Sequence, residues 1–455
     1  MANTERLATT DANGNRVYVY TADVRGRFRS IKNWVHGILI FILITLPWLK
    51  ISGHQALLLN IVDRRFTVFG VTFWAHDAPI LVLLFIGGLF SLALVTALWG
   101  RLWCGWACPQ TVFIDSVFRQ IERWIEGDHL ARRRLDQSKI NFNVFSKKLT
   151  KWFLFSVVSL IVSHSFIAYF VGTDHLLQII WHPPSENPVS FGAMVFISLA
   201  MLFDLGWFRE QFCTLLCPYA RFQSILMDKH STIVAYDSKR ADCINCFRCV
   251  QVCPTGIDIR QGTQLECVSC TSCIDVCNEV MTRLGRPIGL IRYDSEEGLA
   301  GRRRIRFLRP RPLLYAFVAC IAFMGLAFAL VTRQAIHSSF VRAIDTPYQE
   351  INAAGIETKI MNHFNLSVSN QSIKDLAITV QPKGVTEVTV ITAQSPLVVK
   401  AGDRMRTDIF VTFPKRFLKN GKMLLTMETV EITRLAQPVP KVLSTQEVML
   451  VGPFF

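Results

Sequence analysis

Five stretches of the chain are almost entirely apolar and contain few or no charged residues. Each is long enough to cross a hydrocarbon core of about 30 Å as an α-helix. They occupy residues 34–50, 79–100, 152–172, 189–208 and 312–332. Residues 1–33 are polar and lack the short apolar core and cleavage site of a signal peptide, so we expect them to be retained. The pattern predicts a polytopic α-helical membrane protein with five transmembrane helices.

From about residue 359 the pattern changes to short stretches in which apolar and polar residues alternate, separated by Asn, Gly, Lys and Pro. About seven such stretches in roughly a hundred residues predict a β-sandwich. The sandwich contains no cysteine, so we expect it to bind a partner or to act as a spacer. The alternating positions include Leu366, Val368, Leu376, Ile378, Val380, Val388, Val390, Phe410, Val411, Met423 to Thr426, and Val448 to Leu450.

The same pattern divides the chain into domains. A tail (1–33) precedes transmembrane helices 1 and 2 (34–100), and a basic loop (101–151) precedes helices 3 and 4 (152–208). A cysteine-rich domain (209–311), helix 5 (312–332) and a final domain (333–455) follow. Apolar residues at helical spacing in the loop predict a helix that lies in the membrane interface or, as an equal alternative, packs on protein. They are Ile114, Val117, Phe118, Ile121, Trp124 and Ile125.

The distribution of Lys and Arg predicts the orientation, because cytoplasmic loops contain the excess of these residues. Residues 1–33 contain six, residues 101–151 ten and residues 301–311 six, whereas residues 51–78 contain two and residues 173–188 none. We therefore expect a cytoplasmic N-terminus and a C-terminal domain on the outer side of the membrane. The net charge of +15 does not indicate nucleic-acid binding, since the basic residues cluster beside the spans, where topology and anionic lipid explain them.

Thirteen cysteines are present, and none follows residue 332. All except Cys320 fall in segments that the charge pattern places on the reducing side of the membrane or at its boundary. Disulfides are rare in reducing compartments, so we expect metal ligands or redox thiols instead.

The most specific signal is a pair of cysteine tetrads. The spacing Cys-x2-Cys-x2-Cys-x3-Cys-Pro is typical of ferredoxins with two [4Fe–4S] clusters, in which the fourth cysteine of each run binds the other cluster. Zinc, which also uses paired Cys-x2-Cys, is the alternative. In the second run, Asn278 replaces the proline. The predicted ligands are Cys243, Cys246, Cys249 and Cys277 for one cluster, and Cys267, Cys270, Cys273 and Cys253 for the other.

A second cysteine pattern follows helices 2 and 4, where Cys104-x3-Cys108-Pro and Cys213-x3-Cys217-Pro form an internal repeat. Such pairs could present their sulfurs on one helical face, but proline disfavours a helix through the second cysteine and suggests a turn. If the two hairpins pack together, four soft sulfurs converge, and soft thiolates select Cu(I), zinc or iron–sulfur. The alternatives are small buried packing residues and a redox disulfide within each pair.

Two ionisable residues within the spans are further candidates. Asp204 lies near the end of helix 4, and we expect hydration or pairing with Arg209. His164, inside helix 3, is either the lining of a quinone or metal path or a satisfied bundle histidine.

Taken together, these features resemble the CcoG/FixG/RdxA family over nearly the whole chain. The resemblance depends on the five spans, Trp103-Cys-Gly-x2-Cys-Pro-Gln110, Cys213-x3-Cys-Pro-Tyr-x-Arg221, and Thr255-Gly-Ile-Asp-Ile-Arg260 after the first tetrad. It implies an outward immunoglobulin-like domain and an accessory protein for assembly of cbb3-type haem-copper oxidase, acting as a cupric reductase. It also implies cluster ligation by the eight tetrad cysteines and copper handling by Cys104, Cys108, Cys213 and Cys217.

The implied partners are the membrane, copper chaperones, oxidase assembly factors and an unidentified electron donor, and a homodimer is an open alternative. Quinol dehydrogenase subunits similar to NapH share the duplicated Cys-x3-Cys-Pro motifs and the two tetrads, and they are the first functional alternative. The fifth span and the outward sandwich argue against that subgroup. A non-catalytic copper-binding scaffold is the second alternative.

Overall fold

The structure, a computed structural model, describes residues 13, 16–51, 53–62, 64–73, 77–301, 308–333, 336–351, 358–372, 375–431 and 441–453. Its helices are α1 (Arg27–Thr45), α2 (Ala78–Trp99), α3 (Leu102–Trp106), α4 (Pro109–Phe113), α5 (Arg119–Glu126), α6 (His129–Gln137), α7 (Phe142–Val171), α8 (Thr173–Trp181), α9 (Pro188–Phe203), α10 (Pro218–Leu226), α11 (Arg248–Gln251), α12 (Ser272–Arg283), α13 (Glu296–Leu299) and α14 (Pro310–Val331).

Its strands are β1 (Lys50–Ile51), β2 (His54–Gln55), β3 (Leu57–Asn60), β4 (Arg65–Val68), β5 (Val71–Phe73), β6 (Ile233–Tyr236), β7 (Ile291–Asp294), β8 (Ile336–Arg342), β9 (Gln349–Ile351), β10 (Lys359–Asn370), β11 (Leu376–Pro382), β12 (Thr389–Thr392), β13 (Leu397–Val399), β14 (Arg404–Pro414), β15 (Lys422–Glu431) and β16 (Lys441–Val451). Helices and strands occupy separate parts of the sequence, apart from the small sheets of β1–β5 and β6–β7.

Within the described residues, five helical segments are long and apolar enough to cross a membrane, as the sequence predicts. The first and third begin earlier than the apolar pattern indicates, because polar turns continue each helix beyond its apolar stretch. The third begins where the Asn141 side chain accepts a hydrogen bond from the Phe142 amide, an N-terminal cap. The spans are Arg27–Trp48, Ala78–Trp99, Phe142–Val171, Pro188–Phe208 and Pro310–Val331.

The chain forms two compact units, and the first comprises Met1–Trp48 and Pro79–Ala327. One hydrophobic core of this unit lies between α7 and the helical segment made by α4, a π-helical turn (Ile114–Phe118) and α5. Phe118 and Phe155 are fully buried in it, with ring centroids 4.7 Å apart. The predicted loop helix therefore exists and buries one face on protein, while Trp124 is exposed on the other.

A buried ionic network joins this core to the segment after α9. Both oxygens of Glu122 accept hydrogen bonds, from Arg209 at 2.7 Å and from Arg132 at 2.6 Å. Arg209 also donates to the Tyr18 hydroxyl at 2.8 Å, which ties the N-terminal tail to the network. Burial opposes ionisation of Glu122, but the two guanidinium groups outweigh it and lower the pKa of that carboxyl to about 2.

The expected pairing of Asp204 with Arg209 is wrong. The Asp204 carboxylate accepts a hydrogen bond from Gln110 Nε2 at 3.0 Å, whereas the Arg209 guanidinium binds Glu122. The reason is tertiary, since α5 brings a second carboxylate to Arg209 from far away in the sequence.

The cysteine-rich module begins on β6 and ends on β7, which pair in antiparallel register. Its small core contains Val234, Ile259, Ile274 and Ile291, and three of the tetrad cysteines pack against it. Neither strand was predicted, because each has only four residues.

Helix α1 is anchored directly to this module. The two carboxylate oxygens of Asp275, on α12, accept hydrogen bonds from the backbone amides of Phe28 at 3.2 Å and Arg29 at 2.7 Å. These amides belong to the first turn of α1, where backbone donors have no partner within the helix. A carboxylate at this end also complements the helix dipole, so the first span and the module are held together.

The second unit comprises Leu49–Ala78 and Phe328–Phe455 and contains the predicted β-sandwich. One sheet has the order β12-β14-β10-β8, with β9 also paired to β10, and the other has the order β13-β11-β15-β16. Ile360, Leu366, Ile378 and Phe413 are fully buried between them. β8, β9 and β13 were not predicted. Strands β1–β5, also unpredicted, belong to this unit, where Arg65 pairs with Asp403 at 3.6 Å.

The Glu122 network predicts a large difference between two Glu→Gln substitutions. Glu122→Gln leaves two buried guanidinium groups without their carboxylate, and breaking a buried pair costs about 3–5 kcal/mol. Glu279→Gln is the matched control, because Glu279 pairs with Arg283, whose side chain is 69% exposed, and such pairs contribute about 0–1 kcal/mol. Denaturant unfolding of the full chain in detergent, followed by Trp fluorescence, measures both. Equal losses would contradict the network.

Candidate metal centres

The first predicted tetrad surrounds one cavity that encloses about 390 Å³ including open solvent. Cys243 and Cys246 come from the loop after β6, Cys249 from α11 and Cys277 from α12, and all four line the cavity. Arg260 also lines it. The structure therefore brings together the four residues that the spacing assigned to one cluster, including the distant fourth cysteine.

The second tetrad surrounds a neighbouring cavity that encloses about 360 Å³ including open solvent. Cys253, Cys267, Cys270 and Cys273 line it, together with aliphatic and threonine side chains. Cys249 lines both cavities, so the two sites are adjacent. This is the crossed arrangement expected for a two-cluster ferredoxin.

The two tetrads share an unusual backbone conformation. In each Cys-x2-Cys-x2-Cys run, the residues before and after the middle cysteine have positive φ: Asn245 (54°) and Phe247 (56°) in the first, Ser269 (54°) and Thr271 (65°) in the second. Non-glycine residues rarely adopt this conformation, and it occurs preferentially at functional sites. The repeated turn curves each run around its cavity.

Burial raises the pKa of three tetrad thiols, to about 11 for Cys249 and Cys277 and about 12 for Cys267. Negative charge on neighbouring thiols of the same tetrad raises the pKa of Cys267 and Cys277 further. Because metals bind the thiolate, occupation of these sites must release protons.

The donor set fits [4Fe–4S] clusters. Among the described residues, the first cavity is lined by its four tetrad cysteines, and the second by its four tetrad cysteines and Cys249; neither is lined by a carboxylate or imidazole. Backbone amides of Thr255 and Ile257 donate to Cys253, and that of Ser269 to Cys267. Amide donors to cluster sulfurs are characteristic of such sites and help to set the redox potential.

The Cys-x3-Cys-Pro repeats form matching turns. Cys108 and Cys217 are both extended residues that cap the following helix, with Pro109 and Pro218 in its first turn. The backbone amide of each second cysteine donates to the carbonyl five residues earlier, Cys108 to Trp103 at 2.9 Å and Cys217 to Phe212 at 2.8 Å. The predicted turn is present in both copies.

We call four cysteines the boundary thiols: Cys104, Cys108, Cys213 and Cys217. Any two of them lie close enough together for negative charge on one to oppose ionisation of the other. Burial raises the pKa of Cys104 to about 11 and also raises that of Cys108 and Cys213. Cys104 Sγ donates to Gln223 Oε1 at 3.2 Å. Within the described part of the chain, no three His, Cys, Asp or Glu side chains converge on a single ion. Binding of one ion by all four thiols therefore requires side-chain movement.

The first boundary turn contacts the second tetrad directly. Gly105 lies between Cys104 and Cys108, and a Cβ added there would overlap the carbonyl oxygen of Val268 and lie 2.8 Å from that of Ser269. Val268 and Ser269 separate Cys267 from Cys270. In addition, Arg101 donates to the carbonyl oxygen of Leu265. Only a residue without a side chain permits this approach.

One further cavity joins the two groups of thiols. It encloses about 850 Å³ including solvent at its mouth, and both Cys213 and Cys270 line it. Its wall also includes Lys32 and Asp115, which pair at 2.9 Å. Small molecules and ions in this cavity can thus reach a boundary thiol and the binding loop of the second tetrad together.

Sequence reasoning did not identify Gly105, Gln223 or Asp275 as functional neighbours. A signal existed for Gly105, because Thr214 occupies the equivalent position of the second repeat, so glycine is not required by the turn itself. Gln223 and Asp275 had no such signal. His164 Nδ1 donates a hydrogen bond to the Leu160 carbonyl at 2.7 Å, and His164 does not line any of the cavities described above.

Comparison with protein families gives three matches. Residues 208–242 and 238–296 match a 4Fe-4S dicluster domain, residues 79–134 match a 4Fe-4S binding domain, and residues 326–453 match an immunoglobulin-like fold at the C-terminal of FixG. The chain is thus an iron–sulfur protein. The cysteines of the second match are Cys104 and Cys108, so an iron–sulfur family description extends to the first boundary turn.

Curated relatives match most of the chain. Protein RdxB of Cereibacter sphaeroides is 33% identical over 84% of this chain and 88% of its own length, and Protein RdxA of the same organism is 34% identical over 79% and 81%. Nitrogen fixation protein FixG of Rhizobium meliloti is 30% identical over 69% and 70%. A FixG-related crystal structure from Vibrio parahaemolyticus aligns with 26% of this chain at 14% identity and a TM-score of 0.20, too low to establish a shared fold.

The Gly105 contact predicts that Gly105→Ala disturbs the second tetrad. The added methyl group must displace the Cys267–Cys270 backbone, and overpacking of this kind costs about 1–3 kcal/mol. We expect a lower free energy of unfolding and less than the roughly eight irons per chain that two such clusters contain. Gly88→Ala is the control, because a Cβ there meets no atom within 4 Å. Iron analysis and denaturant unfolding test the prediction, which is wrong if the two variants behave alike.

Proposed function

This chain belongs to the FixG/RdxA family of iron–sulfur proteins, and on that premise we propose that it reduces Cu(II) to Cu(I) for assembly of the copper centre of cbb3-type cytochrome c oxidase. Clusters bound at the two tetrads would supply electrons one at a time. We assign Cys243, Cys246, Cys249 and Cys277 as ligands of one cluster. The ligands of the other are Cys253, Cys267, Cys270 and Cys273.

The observation that supports the copper site most strongly is the contact of Gly105 with Val268 and Ser269. It places the Cys104–Cys108 turn in van der Waals contact with the loop of the second tetrad, so an electron has a short path between them. In the proposed reaction, Cu(II) at the boundary thiols accepts one electron and becomes Cu(I). No covalent bond in the protein breaks or forms, apart from metal–sulfur coordination.

The boundary thiols suit this product. Thiolate is a soft donor that favours Cu(I) over hard cations. Because burial raises the pKa of Cys104, Cys108 and Cys213, these thiols are protonated at neutral pH until a metal displaces the protons. Gln223 Oε1 accepts a hydrogen bond from the Cys104 thiol and orients that side chain. The cavity lined by Cys213 gives the metal a route to these thiols.

We further propose that the module and the boundary thiols face the cytoplasm of a bacterium and that the sandwich faces the periplasm. The support is the excess of Lys and Arg in residues 1–33, 101–151 and 301–311. Copper chaperones and oxidase assembly factors are the proposed partners. They would receive Cu(I) on the side where the thiols lie.

Replacement of the four boundary thiols by serine tests the proposal. We expect the rate of Cu(II) reduction by the purified, chemically reduced protein to fall by at least tenfold, because serine oxygen is a poor ligand for Cu(I). Cys320→Ser, on an exposed face of α14, is the matched control and should reduce copper at the wild-type rate. An unchanged rate in the fourfold variant would sink the proposal.

Iron analysis of the same variants separates copper binding from another use of the boundary thiols. If they bind copper, the fourfold variant keeps the roughly eight irons of two clusters. If the wild type contains about twelve irons and the variant about eight, the boundary thiols hold an iron–sulfur cluster and copper is bound elsewhere.

The same preparations distinguish the two alternative functions. Copper that binds but is not reduced indicates a scaffold. Reduction of the protein by quinol, with no effect of copper, indicates the quinol dehydrogenase alternative.

A further inference from the structure

The two tetrads differ in exposure. Cys246, in the first tetrad, is exposed to solvent, whereas Cys270, the corresponding cysteine of the second, is only 9% exposed. The second tetrad is covered by the boundary turn through Gly105. Electron transfer between proteins requires close approach, so a partner protein can reach the first tetrad more readily than the second.

Four apolar side chains of the module are exposed in two segments, one beside Cys246 and one after α12. Ile244 and Phe247 flank Cys246 in the chain and are 43% and 51% exposed, and Leu284 and Ile288, after α12, are 48% and 62% exposed. We call these four residues the docking patch. They belong to the module and lie outside the five candidate spans of the sequence. Clustered exposed apolar residues on such a surface are typical of an interaction site.

Two arginines connect the halves of the docking patch. Arg240 donates to the carbonyl oxygens of Pro287 at 2.7 Å and Ile288 at 3.0 Å, and Arg286 donates to the carbonyl oxygen of Asp242 at 2.7 Å. The loop bearing Ile288 is thus held against the loop bearing Ile244. The surface is continuous and preorganised, which lowers the entropic cost of binding.

Phe247 is also fixed in place. Its backbone has a positive φ of 56°, and the guanidinium carbon of Arg260 lies 4.0 Å from its ring centroid. A cation at this distance from an aromatic face is an attractive interaction. The aromatic ring therefore stays exposed next to Cys246 and does not fold onto the module.

The charge around the docking patch is positive. Residues 240–248, 258–260 and 279–286 contain five arginines and three carboxylates, an excess of two positive charges. Arg240 pairs with Asp242, Arg260 with Asp258 and Arg283 with Glu279. Arg248 and Arg286 are the excess. Complementary charge steers a partner to its site and orients it.

We propose that the docking patch binds a small acidic protein that carries one electron at a time, and that this protein delivers electrons at the first tetrad. The carrier loses one electron and the tetrad site gains one, with no change in covalent bonding. The proposal rests on the ligand assignment within the proposed function but not on copper as the substrate. Electrons then enter the module at the first tetrad, near Cys246, and leave it from the second tetrad, beside Gly105.

The test measures binding first. Full-length protein in detergent, with its iron content verified, is titrated with an oxidised acidic ferredoxin and, separately, with a basic cytochrome c. We expect the ferredoxin to bind and its dissociation constant to rise with salt, while the cytochrome does not bind. Arg283→Glu with Arg286→Glu should weaken ferredoxin binding by at least tenfold. The control is Arg133→Glu with Arg134→Glu, two exposed arginines on α6, which should bind as the wild type does.

A second pair of variants tests the apolar contact without changing charge. Ile288→Ser should weaken ferredoxin binding severalfold, whereas Ile140→Ser, at a position 89% exposed, should not. Reduction by dithionite, a small reductant that needs no docking, should proceed at the wild-type rate in every variant, while reduction by reduced ferredoxin should slow in the patch variants. All these measurements omit copper, so they can succeed when copper reduction fails. Unchanged affinity in the patch variants, or equal loss in the controls, overturns the proposal.

Discussion

The backbone contact of Gly105 with Val268 and Ser269 is the interaction on which the functional arrangement depends. It joins a turn at the end of the second span to the loop that carries Cys267 and Cys270. Any side chain at residue 105 would push these segments apart. The absence of one Cβ atom therefore sets the separation between two groups of thiols, and electron transfer depends steeply on such separations.

Charged side chains hold the spans and the iron–sulfur module together around this contact, and each of the carboxylates involved has a partner of opposite charge or backbone amide donors. Asp275 accepts two amides at the start of α1, and Glu122 binds Arg209 and Arg132. Asp115 is buried, yet Lys32 and neighbouring guanidinium groups lower the pKa of its carboxyl well below the usual range. Because a buried charge without a partner is costly, these pairs fix how the spans meet the module.

The duplicated turns show how one local structure acquires two roles. Both have a proline after the second cysteine and the same hydrogen bond to a carbonyl five residues earlier. The first has glycine between its cysteines and contacts the second tetrad, while Cys213 of the other lines the large cavity together with Cys270. Duplication thus supplies a set of four thiols, and divergence at residue 105 lets the first copy contact the module backbone directly.

The sequence by itself determined the features that depend on local pattern: five spans, the sandwich, the cysteine spacing and the turn before each proline. Long apolar runs, alternation and proline geometry act within a few residues, so they can be detected without a fold. Only the tertiary structure decided that Arg209 pairs with Glu122, that Gln223 meets Cys104 and that Gly105 contacts the second tetrad. The partners are far apart in the sequence: Glu122 and Arg209 are separated by 87 positions, and Cys104 and Gln223 by 119. Such partners are chosen by packing of whole helices, which no local pattern encodes.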